Sequence, residues 1–478
     1  MPSSIAAIVP ILCVVAAAIA AMLAEALRDP GERWPIAGLG VIGLAGAGLT
    51  GALLWGRDAA GFGVVLADRF GLFVTLVLVG IGLLTLMFSS PVVDRDRLPA
   101  GEYYALTLFA LAGMMLMAVS TDLLVMFLGL EVMSIAVYVL TAIRRESAEG
   151  AEGAFKYFLL GGLASAFFVY GIAWIYGLTG STNLEQVGRV IAAHGGRQTP
   201  LLLVAVGLLL AGFSFKVSAV PFHTWTPDAY QGAPAIVTGF MSTGIKAAAM
   251  AAFARVFLTA LAPLAVQWTA VLGWIAIATM IVGTAIGVVQ ANMKRMLAYS
   301  SIAHGGYLLV ALVAGNDVGR GAILFYLAVY AVTNLAAFGV IAALGTRLAP
   351  NDDIADYAGL GRRRPMIAAA LTVFLLSLGG LPPTAGFVAK WYVFSAAVSS
   401  GHYGLAIVGV LSSVVAVFFY LRVVVLMYMT DPVTELTYGE SHRPTVAALA
   451  VSLVVVFYLG ILPGRVLELA ATSVGAMF

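Results

Sequence analysis

Long apolar segments follow one another along the whole chain, separated by short polar stretches. A helix needs about 20 residues to cross roughly 30 Å of hydrocarbon, and fourteen segments of that length can be marked. Their centres lie near Val14, Leu44, Val79, Ala112, Glu131, Phe167, Lys216, Gly244, Ala278, Leu308, Tyr330, Pro382, Val414 and Val454. The pattern predicts an all-α polytopic membrane protein with about 14 transmembrane helices.

The composition agrees with a membrane protein and limits the classes of partner that the chain is expected to bind. Of the 478 residues, 62% are hydrophobic and 10% are charged, whereas a soluble protein has about 25% charged residues. The net charge of +2 is scattered through short loops, so no basic patch indicates nucleic acid. Cys13 is the single cysteine, which excludes a disulfide framework and a cysteine metal site. The expected partner is the lipid bilayer, and nucleic acid is not expected.

The loops also predict an orientation. An even number of spans puts both termini on one side, and lysine and arginine concentrate in the loops of the inner side. With the termini outside, the inner loops hold Arg28, Arg33, Arg95, Arg97, Arg144, Arg145, Lys294, Arg295, Arg347, Arg362, Arg363, Arg364, Arg422 and Arg443. The outer side then holds Arg57, Arg69, Arg189, Arg197, Arg255, Arg320 and Arg465. This asymmetry favours both termini on the outer side of the membrane.

The first apolar run, from about Ser4 to Leu23, is expected to remain as a helix. It has no positive charge before it and is longer than the core of a signal peptide. A cleaved signal peptide is the less favoured alternative.

Ionisable residues lie deep inside several spans. Lys216, Lys246 and Lys390 fall near the middle of theirs, and Glu131 lies halfway along the fifth. A charge at the bilayer centre costs about 2.5 to 3.5 kcal/mol on insertion scales, so such residues are rare and usually functional. A fixed ion pair between Glu131 and Lys216 is the structural alternative, but it leaves Lys246 and Lys390 without a carboxylate. Lys156 starts its segment and can instead extend its amine to the interface.

Polar residues at helical spacing accompany the lysines in three spans. They are Thr238, Ser242 and Lys246 in the eighth, Ser300, His304 and Tyr307 in the tenth, and Tyr326, Tyr330, Thr333 and Asn334 in the eleventh. One such stripe usually packs helices through hydrogen bonds. Several stripes beside buried lysines favour a hydrated path.

Two spans are interrupted by proline at membrane depth. The first reads FSFKVSAVPFHTW (Phe213 to Trp225), where Pro221 is expected to end or kink the helix near Val220. The second reads LSLGGLPPTAGFVAKW (Leu376 to Trp391). Two broken helices in corresponding halves are typical of inverted-repeat transporters with an ion path at the midplane. The spacing allows the fourth to eighth spans to repeat as the ninth to thirteenth.

The available chemistry is proton transfer rather than bond making. The sequence has no nucleotide-binding loop, metal-ligand cluster or activated nucleophile, and its histidines (His194, His223, His304, His402 and His442) are dispersed. Burial disfavours a charged lysine and a nearby carboxylate favours it, so moving Glu131 relative to Lys216 would load or unload a proton. His223 is either a relay or a cap for the half-helix. Uphill transport needs an external energy source.

Several motifs together resemble the antiporter-like membrane subunits of respiratory complex I. They are FKVSAVPFHTWTPDAYQGAPAIVTGFMSTGIK (Phe215 to Lys246), GLEVMSIAVYVL (Gly129 to Leu140), KYFLLGGLASAFFVYGIAWIYGLTGSTNL (Lys156 to Leu184), KRMLAYSSIAHGGYLL (Lys294 to Leu309) and LGGLPPTAGFVAKWYVF (Leu378 to Phe394). The TPDAYQGAP part is most similar to subunit N, the bacterial counterpart of mitochondrial NADH dehydrogenase subunit 2. The resemblance runs from about Tyr103 to Tyr428.

This resemblance implies a proton-translocating subunit of a complex I-like NADH:quinone oxidoreductase. It implies two inverted five-helix repeats, residues 101–258 and 259–430, each with a broken helix, preceded by three helices (1–100) and followed by one (431–478). Glu131 and Lys216 would form a coupled pair, Lys246 the central relay and Lys390 the terminal site, with Lys156 also involved and His223 and His304 as possible relays. NADH, FMN, iron-sulfur clusters and quinone would be bound by partner subunits, and the other membrane-arm subunits would be its neighbours.

Two alternatives stay open at this point. A subunit of an Mrp-type cation/proton antiporter or of a membrane-bound hydrogenase shares the lysines and the broken helices. A non-conducting scaffold that only joins neighbouring subunits is a different class altogether.

Overall fold

The computed structural model describes residues 3–29, 34–193, 199–347, 349–431, 438–439 and 442–475. Arg33, His194 and Arg197, named in the analysis of loops and histidines, lie outside these ranges. Within them the chain is almost entirely helical, with one short β-hairpin.

The first half contains ten α-helices and the hairpin. In chain order these are α1 (Ser3–Ala6), α2 (Val9–Leu27), α3 (Ile36–Leu54), the antiparallel strands β1 (Ala59–Gly61) and β2 (Val65–Ala67), α4 (Arg69–Asp96), α5 (Ala100–Val119), α6 (Leu123–Thr141), α7 (Ala148–Thr179), α8 (Leu184–Ala193), α9 (Pro200–Lys216) and α10 (Trp225–Gly232).

The second half begins with a span that changes helical type twice. It runs through α11 (Ala235–Phe240), a π-helix (Met241–Ile245), α12 (Lys246–Arg255) and a second π-helix (Val256–Ala260). The remaining helices are α13 (Ala265–Val288), α14 (Met293–Ala314), α15 (Asp317–Leu344), α16 (Leu360–Arg363), α17 (Pro365–Gly379), α18 (Ala385–Ser399), α19 (Tyr403–Met429), α20 (Arg443–Ile461) and α21 (Gly464–Gly475).

In the described part of the chain, twelve helices are long and apolar enough to cross a membrane. Two shorter apolar helices, α9 and α17, belong to the two spans that the sequence predicts to be broken. The prediction of an all-helical, multi-pass membrane protein is therefore confirmed. The most hydrophobic windows of α14 and of the Ala235–Ala260 span are completely enclosed, whereas only a third of the corresponding window of α2, α7 or α19 is buried. Of the candidate site residues, Lys246 and His304 lie on the two enclosed spans.

Side-chain caps explain where several spans begin. The carboxylate of Asp68 accepts the Gly71 amide at 2.7 Å at the start of α4, and that of Asp122 accepts the Leu124 amide at 2.9 Å at the start of α6. Asn292 caps α14 in the same way. An Asp or Asn before a helix satisfies amides that have no partner within it. The polar residues between apolar runs therefore set the helix boundaries.

The start of α7 differs from the expectation for Lys156. Ser147 accepts the Gly150 amide at 3.0 Å, and the helix begins at Ala148. Lys156 therefore lies more than two turns inside the helix and does not start it. The apolar run understates the length of α7, because its first turns are polar and extend beyond the apolar segment.

Both predicted breaks are present, and both close in the same way. After α9, the Ala219 amide donates to the Ser214 carbonyl at 2.8 Å, and Ser218 has φ +62°. After α17, the Leu381 amide donates to the Leu376 carbonyl at 3.0 Å, and Gly380 has φ +83°. This is the Schellman ending with one left-handed residue.

The first break thus comes earlier than expected. Helix α9 ends at Lys216, before the proline that was expected to interrupt it near Val220. The left-handed residue Ser218 ends the helix, and Pro221 lies in the connection to α10. The break places Lys216 at the helix end rather than inside a continuous helix.

Candidate functional site

Lys216 is buried at the end of α9 beside two tyrosine rings. Its side chain has 2% exposure, and its amine donates to Ser134 Oγ on α6 at 2.7 Å. The centroids of the Tyr138 and Tyr157 rings are 5.7 and 5.8 Å from Nζ. A hydroxyl acceptor and aromatic faces thus surround the ammonium without neutralising it.

Glu131 lies one turn before Ser134 on α6 but bonds elsewhere. Its carboxylate accepts a hydrogen bond of 2.5 Å from Ser165 Oγ on α7. Although the structure describes both residues, no oxygen of Glu131 comes within 4.0 Å of the Lys216 amine. The alternative of a fixed Glu131–Lys216 ion pair is therefore not what this structure contains.

Lys246 occupies the turn where the π-helix passes into α12. It has 2% exposure and donates to the carbonyl of Ser301 and to Ser301 Oγ, the latter at 2.7 Å. Its amine is 5.4 Å from the centroid of the Tyr330 ring on α15. One turn earlier, Ser242 accepts a 2.7 Å hydrogen bond from the Asn334 amide. The π-helix is thus fastened to α15 just before the lysine.

The first break lies beside Lys246. Gly305 of α14 separates them: a methyl group in place of its hydrogen would be 2.8 Å from the Val217 carbonyl and 3.6 Å from Lys246 Nζ. Val217 directly follows Lys216. The absence of a side chain at Gly305 therefore brings the end of α9 close to the central lysine.

Lys390 is held by the second break. It has 5% exposure and donates to the Gly379 carbonyl at 2.9 Å and to Ser413 Oγ on α19 at 2.7 Å. The last carbonyls of a helix have no partner within it, and the interruption of α17 exposes one of them to the amine. The centroid of the Tyr307 ring lies 5.1 Å from Nζ.

His304 lies between the second and third of these lysines. Its ring centroid is 5.0 Å from that of Tyr330, which faces Lys246, and 5.5 Å from that of Tyr307, which faces Lys390. Its Nδ1 is 2.5 Å from the Tyr326 hydroxyl and its Nε2 is 3.4 Å from that of Tyr420. The structure therefore forms one continuous line of side chains: Lys246, Tyr330, His304, Tyr307 and Lys390.

Lys156 has a different environment, among ion pairs near one end of the bundle. Its amine is 2.6 Å from Glu152 and 2.8 Å from Asp228, and its side chain is 43% exposed. Asp228 also pairs with Arg295 at 2.7 Å. These ion pairs join α7, α10 and α14. No described contact joins Lys156 to the central line.

His223 lies in the connection between α9 and α10 and is half-buried. Its Nδ1 has no hydrogen-bond partner among the described residues. No described contact joins it to Lys216, so its predicted relay role stays a prediction.

Sequence reasoning missed the serines that hold the amines. Ser134, Ser301 and Ser413 each accept from one buried lysine. The tenth-span stripe contains Ser300, the neighbour of the residue that binds Lys246. The only available signal was a hydroxyl within an apolar run, and many such hydroxyls just bond their own helix, as Thr107 does to Tyr103.

The chain is similar in sequence to known membrane proteins. Residues 120–416 match the family described as NADH:quinone oxidoreductase/Mrp antiporter, TM. The NADH-quinone oxidoreductase subunit N of Trichlorobacter lovleyi is 43% identical over 92% of this chain and 90% of its own length. Subunit N of Chloroflexus aggregans is 42% identical over 99% of this chain and 97% of its own length.

Solved structures give the same picture. A chain of respiratory complex I from Thermus thermophilus with bound aureothin superposes with a TM-score of 0.83, at 35% identity, over 97% of this chain and 99% of that chain. A chain of the archaeal membrane-bound sulfane sulfur reductase shares the fold, with a TM-score of 0.86, at 24% identity, over 99% of this chain and 98% of that chain.

Proposed function

Since this chain belongs to the subunit N family of NADH-quinone oxidoreductase, the proton-translocating respiratory complex I, we propose that it carries protons through the membrane along its buried lysines. Its partners are the other subunits of that complex. In our proposal NADH, FMN, the iron-sulfur clusters and quinone are bound by those subunits, and quinone reduction there supplies the energy.

The continuous line from Lys246 to Lys390 carries this proposal. Each member of the line is an amine, an imidazole or a phenol, and each of these groups can accept or release a proton. Neighbouring members lie 5.0 to 5.5 Å apart, measured to the ring centroids. In our proposal, water molecules between their polar atoms complete the path.

Buried hydroxyls support a hydrated path. Tyr138 and Tyr157 near Lys216, Tyr330 near Lys246 and Tyr307 near Lys390 have no hydrogen-bond partner among the described residues. Buried polar groups are nearly always paired with protein or with water. A cavity of about 10 Å³ beside His304 and Tyr330 is roughly the minimum that holds one water molecule. We therefore propose water at these four hydroxyls.

The lysines are suited to exchange protons because they lack a fixed counter-ion. Among the described residues, no carboxylate lies within 4.0 Å of the amine of Lys216, Lys246 or Lys390. Serine hydroxyls accept a hydrogen bond from an ammonium and can donate one to a neutral amine. The same pocket therefore accommodates both states of the lysine with little rearrangement.

The residues at the margins receive smaller roles. Glu131, one turn from Ser134, acts on Lys216 through its electric field while Ser165 holds it. The ion pairs of Lys156 with Glu152 and Asp228 favour an anchoring role, although the resemblance implies a relay. His223 remains a candidate for proton entry beside the first break.

Two matching bridges support the proposed inverted repeats. Asp122, before α6, pairs with Asn183 after α7, and Asn292, before α14, pairs with Asp353 after α15. In each case the cap of one helix is bridged to the connection that follows the next helix. Counted from α5 and from α13, these are corresponding positions in the two proposed repeats, residues 101–258 and 259–430.

Orientation completes the proposal. Residues expected on the inner side contact each other in the structure: Arg144 and Arg95 pair with Asp96, and Lys294 pairs with Asp352. These contacts agree with the division of loops into two sides. Together with the excess of arginine there, they support periplasmic termini.

Reconstitution of the intact complex in liposomes tests the proposed function. NADH-driven acidification of the vesicle interior would be compared between the unchanged complex, Lys390→Ala, and Arg57→Ala as an exposed outer-loop control. We expect protons moved per NADH to fall in Lys390→Ala only, while NADH oxidation and assembly persist. An unchanged ratio in Lys390→Ala would favour the scaffold. Proton movement abolished by removing sodium would favour a sodium-coupled antiporter.

A further inference from the structure

A charged cavity opens at the inner end of the bundle, away from the lysine line. It has a volume of about 610 Å³ and lies between the α4–α5 connection, the α6–α7 connection and Arg347, three residues after the end of α15. Its basic members are Arg97, Arg144, Arg145 and Arg347. All of these follow the ends of spans, which is the depth of lipid headgroups.

Three of the four arginines are available to a ligand. Arg144 pairs with Asp96, which also binds Arg95 at 2.7 Å. Arg97, Arg145 and Arg347 are exposed and have no ion pair or side-chain hydrogen bond among the described residues. Because Asp96 is already occupied, three guanidinium groups of the cavity have no carboxylate paired with them among the described residues.

Two helix ends near the cavity have opposite effects on an anion. Helix α4 ends beside the cavity, with Arg97 in the left-handed position (φ +53°), and the Arg97 guanidinium offsets the negative end of that helix dipole. Helix α7 begins at Ala148, directly after the cavity residue Ser147, and so directs the positive end of its dipole to this region.

The other lining residues limit the class of ligand that the cavity can bind. Glu102 and Glu146 also line the cavity and would repel a small polyanion, whereas they tolerate a headgroup that presents one phosphodiester. Leu98, Pro99 and Ile143 supply apolar surface beside the charges. Exposed apolar side chains of α6, Ile135 and Val139, continue from the Ile143 side towards the membrane interior.

We propose that this cavity binds a glycerophospholipid headgroup, with its phosphodiester held by Arg97, Arg145 and Arg347. Planar guanidinium groups bind phosphate oxygens in pairs, and basic pockets on the cytoplasmic side of membrane proteins recognise lipid headgroups. The acyl chains lie along the apolar face of α6. The bound lipid fills the space between the three connections and holds them together.

Lipid retention by the purified complex tests this site. The complex with Arg97, Arg145 and Arg347 all changed to alanine would be compared with Arg57→Ala, which removes one exposed arginine from the outer side. Native mass spectrometry after detergent extraction counts retained phospholipid. Phosphatidylglycerol added back to the delipidated complexes gives the concentration for half-saturation.

We expect the triple variant to retain one phospholipid fewer and to need about a hundredfold more phosphatidylglycerol, since each basic residue near a lipid surface contributes roughly a fivefold factor. A variant with lysine at all three positions should need a phosphatidylglycerol concentration between those of the triple-alanine variant and the unchanged complex. It keeps the charges but not the paired hydrogen bonds. Arg57→Ala should match the unchanged complex.

Three results would overturn the proposal. Equal retention in the triple variant and the control would exclude these arginines from lipid binding. Displacement of the lipid by millimolar inorganic phosphate would identify a site for the free anion. Loss of a neighbouring subunit on a native gel, with lipid retained, would identify a protein partner instead.

Discussion

Two groups of basic residues in this molecule differ in what surrounds them. Near one end of the bundle, Lys156 and Arg295 share Asp228, and Lys294 pairs with Asp352 at 2.7 Å. In the enclosed interior, Lys216, Lys246 and Lys390 bind hydroxyls and carbonyls and face aromatic rings.

In the proposed function, this difference separates lysines that fasten helices from lysines that carry protons. A carboxylate stabilises the ammonium form of its lysine and disfavours loss of the proton. A buried lysine without a carboxylate is costly to charge, yet neither of its states is locked. The interior lysines are therefore the ones that can change protonation, and the five predictions below test this contrast.

Lys246 should show the largest effect. In Lys246→Ala the line loses its central proton carrier, and we expect proton transport to fall by about a hundredfold, the size typical of losing a proton-transfer group. Proton transport in Lys246→Arg should fall nearly as far, because a guanidinium keeps its charge and cannot release a proton. Vesicle acidification per NADH oxidised measures both. Normal transport in Lys246→Arg would mean that a permanent charge suffices.

His304 should come next, because it joins the two ends of the line. His304→Phe keeps a ring between Tyr330 and Tyr307 but removes both nitrogens. We expect roughly a tenfold loss of proton transport, smaller than the hundredfold or more that is typical of a proton-transfer group, because the tyrosines on both sides remain. Tyr326→Phe is the matched control, since it removes only the side partner of Nδ1. If the control lost as much transport, the path would leave through Tyr326 and not through Tyr307.

Substitutions of Glu131 and of Lys216 should differ in how much they lower proton transport. Lys216→Ala removes a proton carrier, whereas Glu131→Gln only removes a charge that lies beyond salt-bridge distance. We expect Glu131→Gln to lower transport several-fold less than Lys216→Ala, because the carboxylate acts on the amine only through its electric field, which weakens with distance. The same vesicle assay compares the two variants. Equal losses would indicate that the carboxylate meets the amine directly during turnover.

Asn334 tests the fastening of the π-helix. Its amide binds Ser242 at 2.7 Å, and the neighbouring Thr333 lies 3.5 Å from Ser377 at the second break. Asn334→Ala removes one buried hydrogen bond, which costs about 1 kcal/mol, and we expect transport to fall two- to fivefold as Lys246 loses its fixed position. Ser242→Ala should reproduce the loss. A decrease in thermal stability without any change in transport would make this contact structural only.

The sequence predicted which residues form the line of buried lysines better than it predicted how those residues are arranged. Depth and prolines identified Lys216, Lys246, Lys390 and both breaks, and spacing identified the His304 stripe. Spacing reports only which residues share a face of their own helix. It does not report how neighbouring helices are rotated, so the alignment of Tyr307 between His304 and Lys390 was not predictable.

Local backbone geometry was the other gap. The eighth-span stripe assumes regular α-helical spacing, but Met241–Ile245 forms a π-helix, and nothing in its composition marks the wider turn. The end of α9 depends on Ser218 in a left-handed conformation, which serine adopts rarely, whereas Pro221 gave the more visible signal. The hairpin of β1 and β2 was likewise not predicted, because three-residue strands leave too short a pattern.

Lys156 should show the smallest effect. Its side chain is 43% exposed and bound to two carboxylates, and exposed ion pairs contribute about 0 to 1 kcal/mol. We expect Lys156→Met to keep proton transport within twofold of the unchanged complex, while heating releases this subunit at a slightly lower temperature. Lys294→Met, which breaks the pair with Asp352, is the comparison. Because both lysines are fastened by carboxylates, both variants should keep proton transport, but Lys294→Met should lower stability more, since the Lys294 side chain is only 4% exposed. A transport loss confined to Lys156→Met would place that lysine with the interior group and would show that a carboxylate partner does not by itself exclude a lysine from the relay.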